Sequence, residues 1–341
     1  MLSEPTAVWN DSVATAHSDE ALLELLRLVG QSGYRFITPT PLTHERVLAN
    51  RVQQKGKTLT DIFGWNMRVP EEALSPQLLK KMKSACVLLP HGGLLRSCVR
   101  IASLDDDLFL HSQFPTSQEN AVFFGPDTYR FARFIQQSLK AVGTGANGGQ
   151  PMRIIDIGCG SGAGGIVAAR CMSDHGASIS LTMNDINPDA LRYAAINAQH
   201  AGIPVTLALG DTFTAVDGEF DLVLSNPPYL ADEAERAYRD GGAGLGRALS
   251  LRIVTEALTR LAPGGTLLLY TGVAIVDGVD PLRAEVLPLL AGLGCEWSYE
   301  EIDPDVFGEE LEREVYAQAD RIAAVGLVVT RNRSRVASKL D

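Results

Sequence analysis

The chain reads as an α/β protein. A doubly wound parallel sheet fills its C-terminal part, behind a smaller domain of helices and short strands. Beyond residue 150, apolar runs alternate with helical segments to the end, the pattern of strands joined by crossover helices. Residues 152–157 run straight into a turn carrying Gly158, Gly160 and Gly162, and a helical stretch follows at 166–170. Residues 220–224 form a second apolar strand, stopped by Asn226-Pro227-Pro228-Tyr229. Proline has no N–H, so neither Pro227 nor Pro228 extends a ladder, and the loop lies at the strand's carboxyl end.

From the N-terminus, residues 1–18 are polar and read as loose. Residues 19–29 have helical apolar spacing, with Asp19 as cap and Gly30 and Gly33 as the stop. Further helices are expected over 43–54 and 75–83. Short strands follow at 87–96, 98–103 and 108–111, with turns at 91–93 and 105–107. Helices leading into a small antiparallel sheet give residues 19–115 a winged-helix-like character as an auxiliary domain, a place for substrate recognition. Phe63 and Trp65 read as core. The glycine-rich stretch 143–149 reads as a surface loop, since no apolar strand precedes it and no helix follows.

The chemistry sits at strand ends. Gly158, Gly160 and Gly162 permit positive φ and close approach of backbone to a ligand. A second strand over 179–185 ends in Asp185, 25 residues beyond Gly160, where a carboxylate can accept hydrogen bonds from ribose hydroxyls. Asn187, with Pro188 behind it, caps the next helix. A third strand begins at Val205 and leads to Asp211. In the 226–229 loop, the Asn226 amide oxygen and the Pro227 carbonyl are two acceptors beside the Tyr229 ring. That set suits a planar NH2 group, a carboxamide or the exocyclic amine of a base. Acceptors on its two protons aim the weakly nucleophilic nitrogen at an electrophile.

With these motifs in this order, residues 120–330 resemble the class I S-adenosylmethionine-dependent methyltransferases, most closely the Asn-Pro-Pro-Tyr branch typified by HemK-type glutamine N5-methyltransferases of peptide release factors. The resemblance implies a seven-stranded Rossmann-like methyltransferase sheet over 120–331, its last strand (321–330) antiparallel and paired with 297–302, and a basic tail at 332–341. It also implies S-adenosyl-L-methionine as cofactor. Asp156, Gly158, Gly160 and Gly162 would hold its methionine part, Asp185 its ribose, and Asp211 its adenine amine with Thr212 or Phe213 alongside. Asn226, lying between cofactor and acceptor, would with Pro227 and Tyr229 hold the substrate nitrogen. Pro126, Asp127 and Thr128 resemble the family segment that closes over the cofactor as a lid, with Gly125 in place of its arginine and Tyr129 in place of its last glutamate. The motifs at 241–245 and 261–265 also match. Tyr270 stands where the family usually has glutamate, a departure on the substrate side. The acidic connector 303–320 is expected near the active-site rim or at an exposed edge.

Composition bounds the rest. A hydrophobic share of 45% and a charged share of 21% are those of a globular protein with a proper core. No apolar run is long enough to span a membrane. Five cysteines without CxxC spacing read as reduced thiols, placing the chain in a cytoplasm, with Cys159 a small filler. The histidines lack metal-ligand spacing, so no metal is expected. Net charge is −11 but uneven: residues 51–100 are formally +6 and residues 151–341 formally −12. The basic stretch reads as a solvated helix face, with an RNA or acidic-partner surface as the alternative. The expected activity is N-methylation of a protein or peptide carboxamide. The alternatives are a base amine in RNA or DNA, which would have to be extruded, a small-molecule substrate, or a non-catalytic scaffold.

Overall fold

The computed structural model describes residues 12–51, 54–116, 118–141, 150–232, 239–291 and 295–333. The glycine-rich loop at 143–149, residues 1–11 and nearly all of the basic tail lie outside them. The chain divides into two compact units, one of residues 1–37 and 42–114, the other of residues 38–41 and 115–341.

In the first unit, α1 (Ser12–Gln31), α2 (Pro41–Ala49, its first residue in the other unit) and α3 (Pro76–Ser84) accompany four strands, β1 (Leu88–His91), β2 (Leu94–Ser97), β3 (Val99–Leu104) and β4 (Asp107–Ser112). Helix α1 begins seven residues before the expected cap, so Asp19 lies inside it and residues 12–18 are helical rather than loose. Its apolar face, Leu22, Leu25, Leu26 and Val29, is fully buried. Helix α2 stops at Ala49, short of the expected Gln54. Helix α3 starts where Ser75 accepts a hydrogen bond from the Leu78 N–H at 3.2 Å, with Pro76 in the first turn. The strands pair as two separate two-stranded ladders, β1–β2 and β3–β4, rather than as one winged-helix-like sheet. Phe63 is fully buried, whereas Trp65 is half-buried, edge-on to Phe36 at 5.2 Å.

The basic stretch 51–100 does not form one charged face. Arg100 is buried and donates from Nε to the Gly64 carbonyl at 3.0 Å, and Arg96 donates to the Asn66 carbonyl at 3.1 Å. Lys81 pairs with Glu24, Lys83 with Glu71 and Arg51 with Asp61.

The second unit runs α4 (Pro126–Ala141), β5 (Met152–Ile157), α5 (Ala163–Asp174), β6 (Ile179–Asp185), α6 (Pro188–Ala201), β7 (Val205–Leu209), β8 (Phe220–Ser225), α7 (Ala248–Arg260), β9 (Leu261–Ile275), α8 (Pro281–Ala291), β10 (Cys295–Asp303) and β11 (Arg321–Arg331). These strands form one seven-stranded sheet in the order β10-β11-β9-β8-β5-β6-β7. β7, β6, β5, β8 and β9 run parallel to one another, while β11 is antiparallel to both β9 and β10. The chain moves outward from β5 through β6 to β7, then returns to β8 on the other side. The switch point between β5 and β8 therefore leaves a crevice at their carboxyl ends.

Central strands are apolar on both faces because helices cover both. Ile154, Ile155, Leu222, Val223 and Leu224 are all fully buried. Helix α6 has the expected start, Asn187 accepting from the Asp189 N–H at 2.9 Å with Pro188 in the first turn. Arg331 ends β11 and pairs with Glu219 at 3.1 Å. No described helix is long and apolar enough to cross a membrane.

The second unit contains its own sheet and core, so residues 115–341 expressed alone are expected to melt in one cooperative transition. Omitting residues 38–41 removes the hydrogen bond from the Thr38 N–H to the Tyr129 hydroxyl, a loss of about 1 kcal/mol. Circular dichroism against temperature measures this, and a broad, non-cooperative melt would show that the unit does not stand alone.

Candidate active site

A cavity of about 230 Å³ opens at the carboxyl ends of β5, β6, β7 and β8. Gly158 and Gly160 form its floor with φ of 67° and 53°, and a Cβ on either would meet nothing within 4 Å. Side chains there would project into open space, so bare backbone faces whatever the cavity holds. Gly162 does something else. With φ of 80° it heads α5, and a Cβ would press on Met183 Sδ at 3.0 Å and Ala194 at 3.1 Å. It serves helix–sheet packing and does not line the cavity.

Two carboxylates brace the floor. Asp156 is buried, and its Oδ2 accepts the Gly165 N–H at 2.7 Å. Burial pushes its pKa up to about 7, against the pull of that hydrogen bond and helped by repulsion from Asp185. Asp185 accepts the Gly160 N–H on Oδ2 and the Asn187 N–H on Oδ1, both at 2.9 Å. Burial raises its pKa too, while those N–H bonds oppose it. Each Asp185 oxygen keeps a lone pair for a ligand hydroxyl. Sequence reasoning missed Asn184, whose Nδ2 donates to the Ala208 and Gly210 carbonyls at 3.0 Å and so ties β6 to the loop after β7.

At the end of β7, Asp211 and Thr212 line the cavity. Asp211 is ion-paired with Arg252, and the Thr212 hydroxyl donates to Glu256 at 2.5 Å. Phe213 turns inward, stacks near Phe220 at 6.4 Å and joins the core, so it flanks no ligand.

After β8, Asn226 and Pro227 line the cavity, and the Asn226 side chain makes no hydrogen bond among the described residues. Tyr229 also lines the cavity, and it carries a structural task as well. Its ring is buried, and its hydroxyl donates to Asp127 Oδ2. Tyr270 donates to the other oxygen, Oδ1, at 2.8 Å, and Arg130 approaches the same Oδ1 at 3.0 Å while also reaching Asp303 at 2.9 Å. Burial raises the Asp127 pKa, and its two tyrosine partners and Arg130 offset that. Asp127 is therefore a buried hub at the start of α4 rather than part of an open lid. Thr128 lines the cavity and accepts the Gly125 N–H at 3.3 Å, while Pro126 does not line it.

Other parts of the wall come from residues that no motif marked, among them Leu249 and Ile253 on α7, Arg239, and Phe307 in the connector after β10. The connector's acidic character pointed to the rim, but nothing in its sequence singled out Phe307. Arg239 is matched by Asp232 at 3.4 Å and by Glu310. Among the described residues, no three of His, Cys, Asp or Glu are grouped so as to hold a metal ion.

Residues 146–273 match the family "Methyltransferase small domain". That match puts a methyltransferase domain over this stretch, in line with the resemblance to the class I S-adenosylmethionine-dependent methyltransferases. It is 31% identical over 210 residues to the release factor glutamine methyltransferase of Deinococcus radiodurans, covering 57% of this chain and 66% of that one. Against the enzyme of the same name from Cereibacter sphaeroides it is 34% identical over 161 residues, covering 41% and 56%. The chain thus spans roughly half to two thirds of the curated relatives it matches. A solved methyltransferase from Pyrococcus furiosus is 19% identical with a TM-score of 0.40, covering 62% of this chain and 89% of its own.

S-adenosylmethionine is the cofactor of this class. The methyltransferase's glycine floor fits it, since Cβ atoms at Gly158 and Gly160 would stand in the cavity. Gly158 and Gly160 would face its methionine part, Asp185 its ribose hydroxyls, and Asp211 and Thr212 its base.

Two outcomes follow. Asp185→Ala removes charge-assisted acceptors worth about 1.5–3 kcal/mol each, so calorimetry is expected to give at least a tenfold weaker affinity for S-adenosylmethionine; unchanged affinity would remove Asp185 from the site. For Asp156, the native pKa lies above the unfolded value of 3.8. Between about pH 4 and 7 the folded state keeps a proton that the unfolded state has lost, so stability falls as pH rises through that window. Asp156→Asn is expected to flatten this slope by up to about 1.4 kcal/mol per pH unit, read from denaturant melts at stepped pH. An unchanged slope would mean that Asp156 ionises normally.

Proposed function

We propose that this protein transfers the methyl group of S-adenosylmethionine to the nitrogen of a primary carboxamide in a protein or peptide. The observation that carries this reading is the end of β8. Asn226 brings to the cavity an amide without a hydrogen-bond partner among the described residues, next to Pro227 and Pro228, which offer carbonyls and no N–H. One side-chain acceptor and one backbone acceptor are the complement of the two protons of an NH2 group.

The cofactor, when bound, supplies an electrophilic methyl carbon on a sulfonium, which needs no metal or acid to react. The chain's own residues then have three tasks. The Asn226 oxygen and the Pro227 carbonyl hold the NH2 protons and fix the direction of the nitrogen lone pair. Leu249, Ile253 and Phe307 make an apolar wall that excludes water. Asp127 holds Tyr229, and through it the loop that carries both acceptors.

Charge favours a carboxamide over a nucleic acid. Among the described cavity residues the cation, Arg239, is matched by Asp232 and Glu310. Such a wall offers a phosphate no uncommitted cation to grip. In the basic stretch 51–100, five of the nine cations are already committed, two arginines to carbonyls and three side chains to ion pairs. Similarity to two release factor glutamine methyltransferases supports the same acceptor class.

The test is direct. Lysate incubated with methyl-labelled S-adenosylmethionine and this protein is expected to yield label that protease releases and nuclease does not. Asn226→Ala is expected to leave cofactor affinity nearly unchanged and to lower turnover by about 10²–10³-fold, the scale of one lost transition-state hydrogen bond. Wild-type turnover in the folded variant would reduce the loop to a strand terminator.

A further inference from the structure

Phe307 stands at the acceptor end of the cavity, beside the loop after β8. Its ring meets Tyr229 edge-on at 6.0 Å and 68°. Its backbone is left-handed, with φ of 55° and ψ of 40°, a conformation that a residue with a Cβ keeps only when its surroundings dictate it. The surroundings here do. On one side Val306 is buried and donates its N–H to the Ile322 carbonyl on β11 at 2.8 Å. On the other, the Phe307 carbonyl accepts the Glu310 N–H at 2.8 Å, and buried Glu310 is held by Arg239 and by Arg313 at 3.0 Å. Arg313 donates to the Ala231 carbonyl at 2.6 Å, and the Tyr316 hydroxyl accepts the Ala231 N–H at 2.8 Å. The connector is thus tied to the residues directly after the Asn226–Tyr229 loop, and these ties hold a half-buried ring in the cavity wall.

A planar acceptor needs an apolar face as well as its two hydrogen-bond acceptors. Of the two rings lining this end, Tyr229 is buried with its hydroxyl committed to Asp127, whereas Phe307 is half-buried. We infer that Phe307 supplies that face and is a specificity-determining residue: the planar NH2-bearing group lies against its ring while Asn226 and the Pro227 carbonyl take the protons. This rests on the methyl-transfer reading above and adds the residue that selects for planarity.

The full chain is assayed with methyl-labelled S-adenosylmethionine and two probes, short glutamine-containing peptides with randomised flanks and short RNA oligonucleotides. Phe307→Leu keeps apolar bulk but loses the π face. It is expected to raise the KM for the labelled probe about five- to tenfold, with kcat and cofactor affinity within about twofold of wild type. Phe307→Tyr is expected to restore the wild-type KM. Phe307→Gly, which suits a left-handed backbone, should fold and show the raised KM even if the leucine variant does not fold. A wild-type KM in either ring-less variant overturns the inference, as does an equal loss of cofactor affinity. Label in RNA and not in peptide defeats the carboxamide reading alone, and Phe307 is then judged by the same KM ratio on RNA. Label in neither probe overturns both.

Discussion

A carboxylate taken out of water must find partners, and Asp127 shows how much structure that requirement can organise. It sits in the first turn of α4, where the helix dipole favours a negative charge. Its two oxygens receive the hydroxyls of Tyr229, from the loop after β8, and of Tyr270, from the middle of β9, with Arg130 closing the set from its own helix. Three elements distant in sequence are thereby held to one point. The Tyr229 ring lies so close to β9 that any Cβ at Gly272 would overlap it. Strand, helix and loop accordingly behave as one rigid wall of the cavity.

From that wall the site divides into two ends built on different principles. The cofactor end is mostly backbone. Gly158 and Gly160 remove side chains from the approach, and Asp156 and Asp185 hold the turn from behind through the N–H groups of Gly165 and Gly160. Its shape is thus a property of the β5–α5 turn, preorganised before any ligand arrives. The acceptor end is made of groups selected for what they lack. Two prolines have no N–H, Asn226 has no hydrogen-bond partner among the described residues, and Arg239 has no net charge left to offer. A neutral, planar, proton-donating group is the complement of such a surface.

Tyr270 illustrates how one substitution redistributes such a network. A glutamate at this position would set a second carboxylate beside Asp127, and like charges in a buried site oppose ionisation. The phenol instead donates to Asp127 and carries no charge at neutral pH, its own pKa raised by burial and by that carboxylate. The departure from the family pattern thus belongs to the support of the Asn226–Tyr229 loop as much as to the substrate.

Local chemistry determined a large part of this protein by itself. Strand β6 ends at Asp185 as its apolar run and acid required, the Asn187-Pro188 start of α6 follows from capping, and the β8 stop follows from two residues without N–H. The glycine floor and the carboxylates at strand ends were legible for the same reason: each is dictated by neighbours within a few residues. Other features depend on partners 68 to 143 residues away, as in Ser225 to Ile157 or Tyr270 to Asp127, and no local rule encodes them. Thus Phe213, adjacent to two cavity residues, went into a core it shares with Ile155 and Val254, and Gly162 proved to be a packing glycine because Met183 and Ala194 crowd it. Tyr229, which lines the cavity, also supports its loop because Asp127, read as a lid, lay buried beneath it. Phe307 entered the site only because the fold brings its connector back over the ends of the central strands. Composition and spacing specify which groups a chain has to spend on chemistry; burial and long-range contact decide which of them still face the cavity.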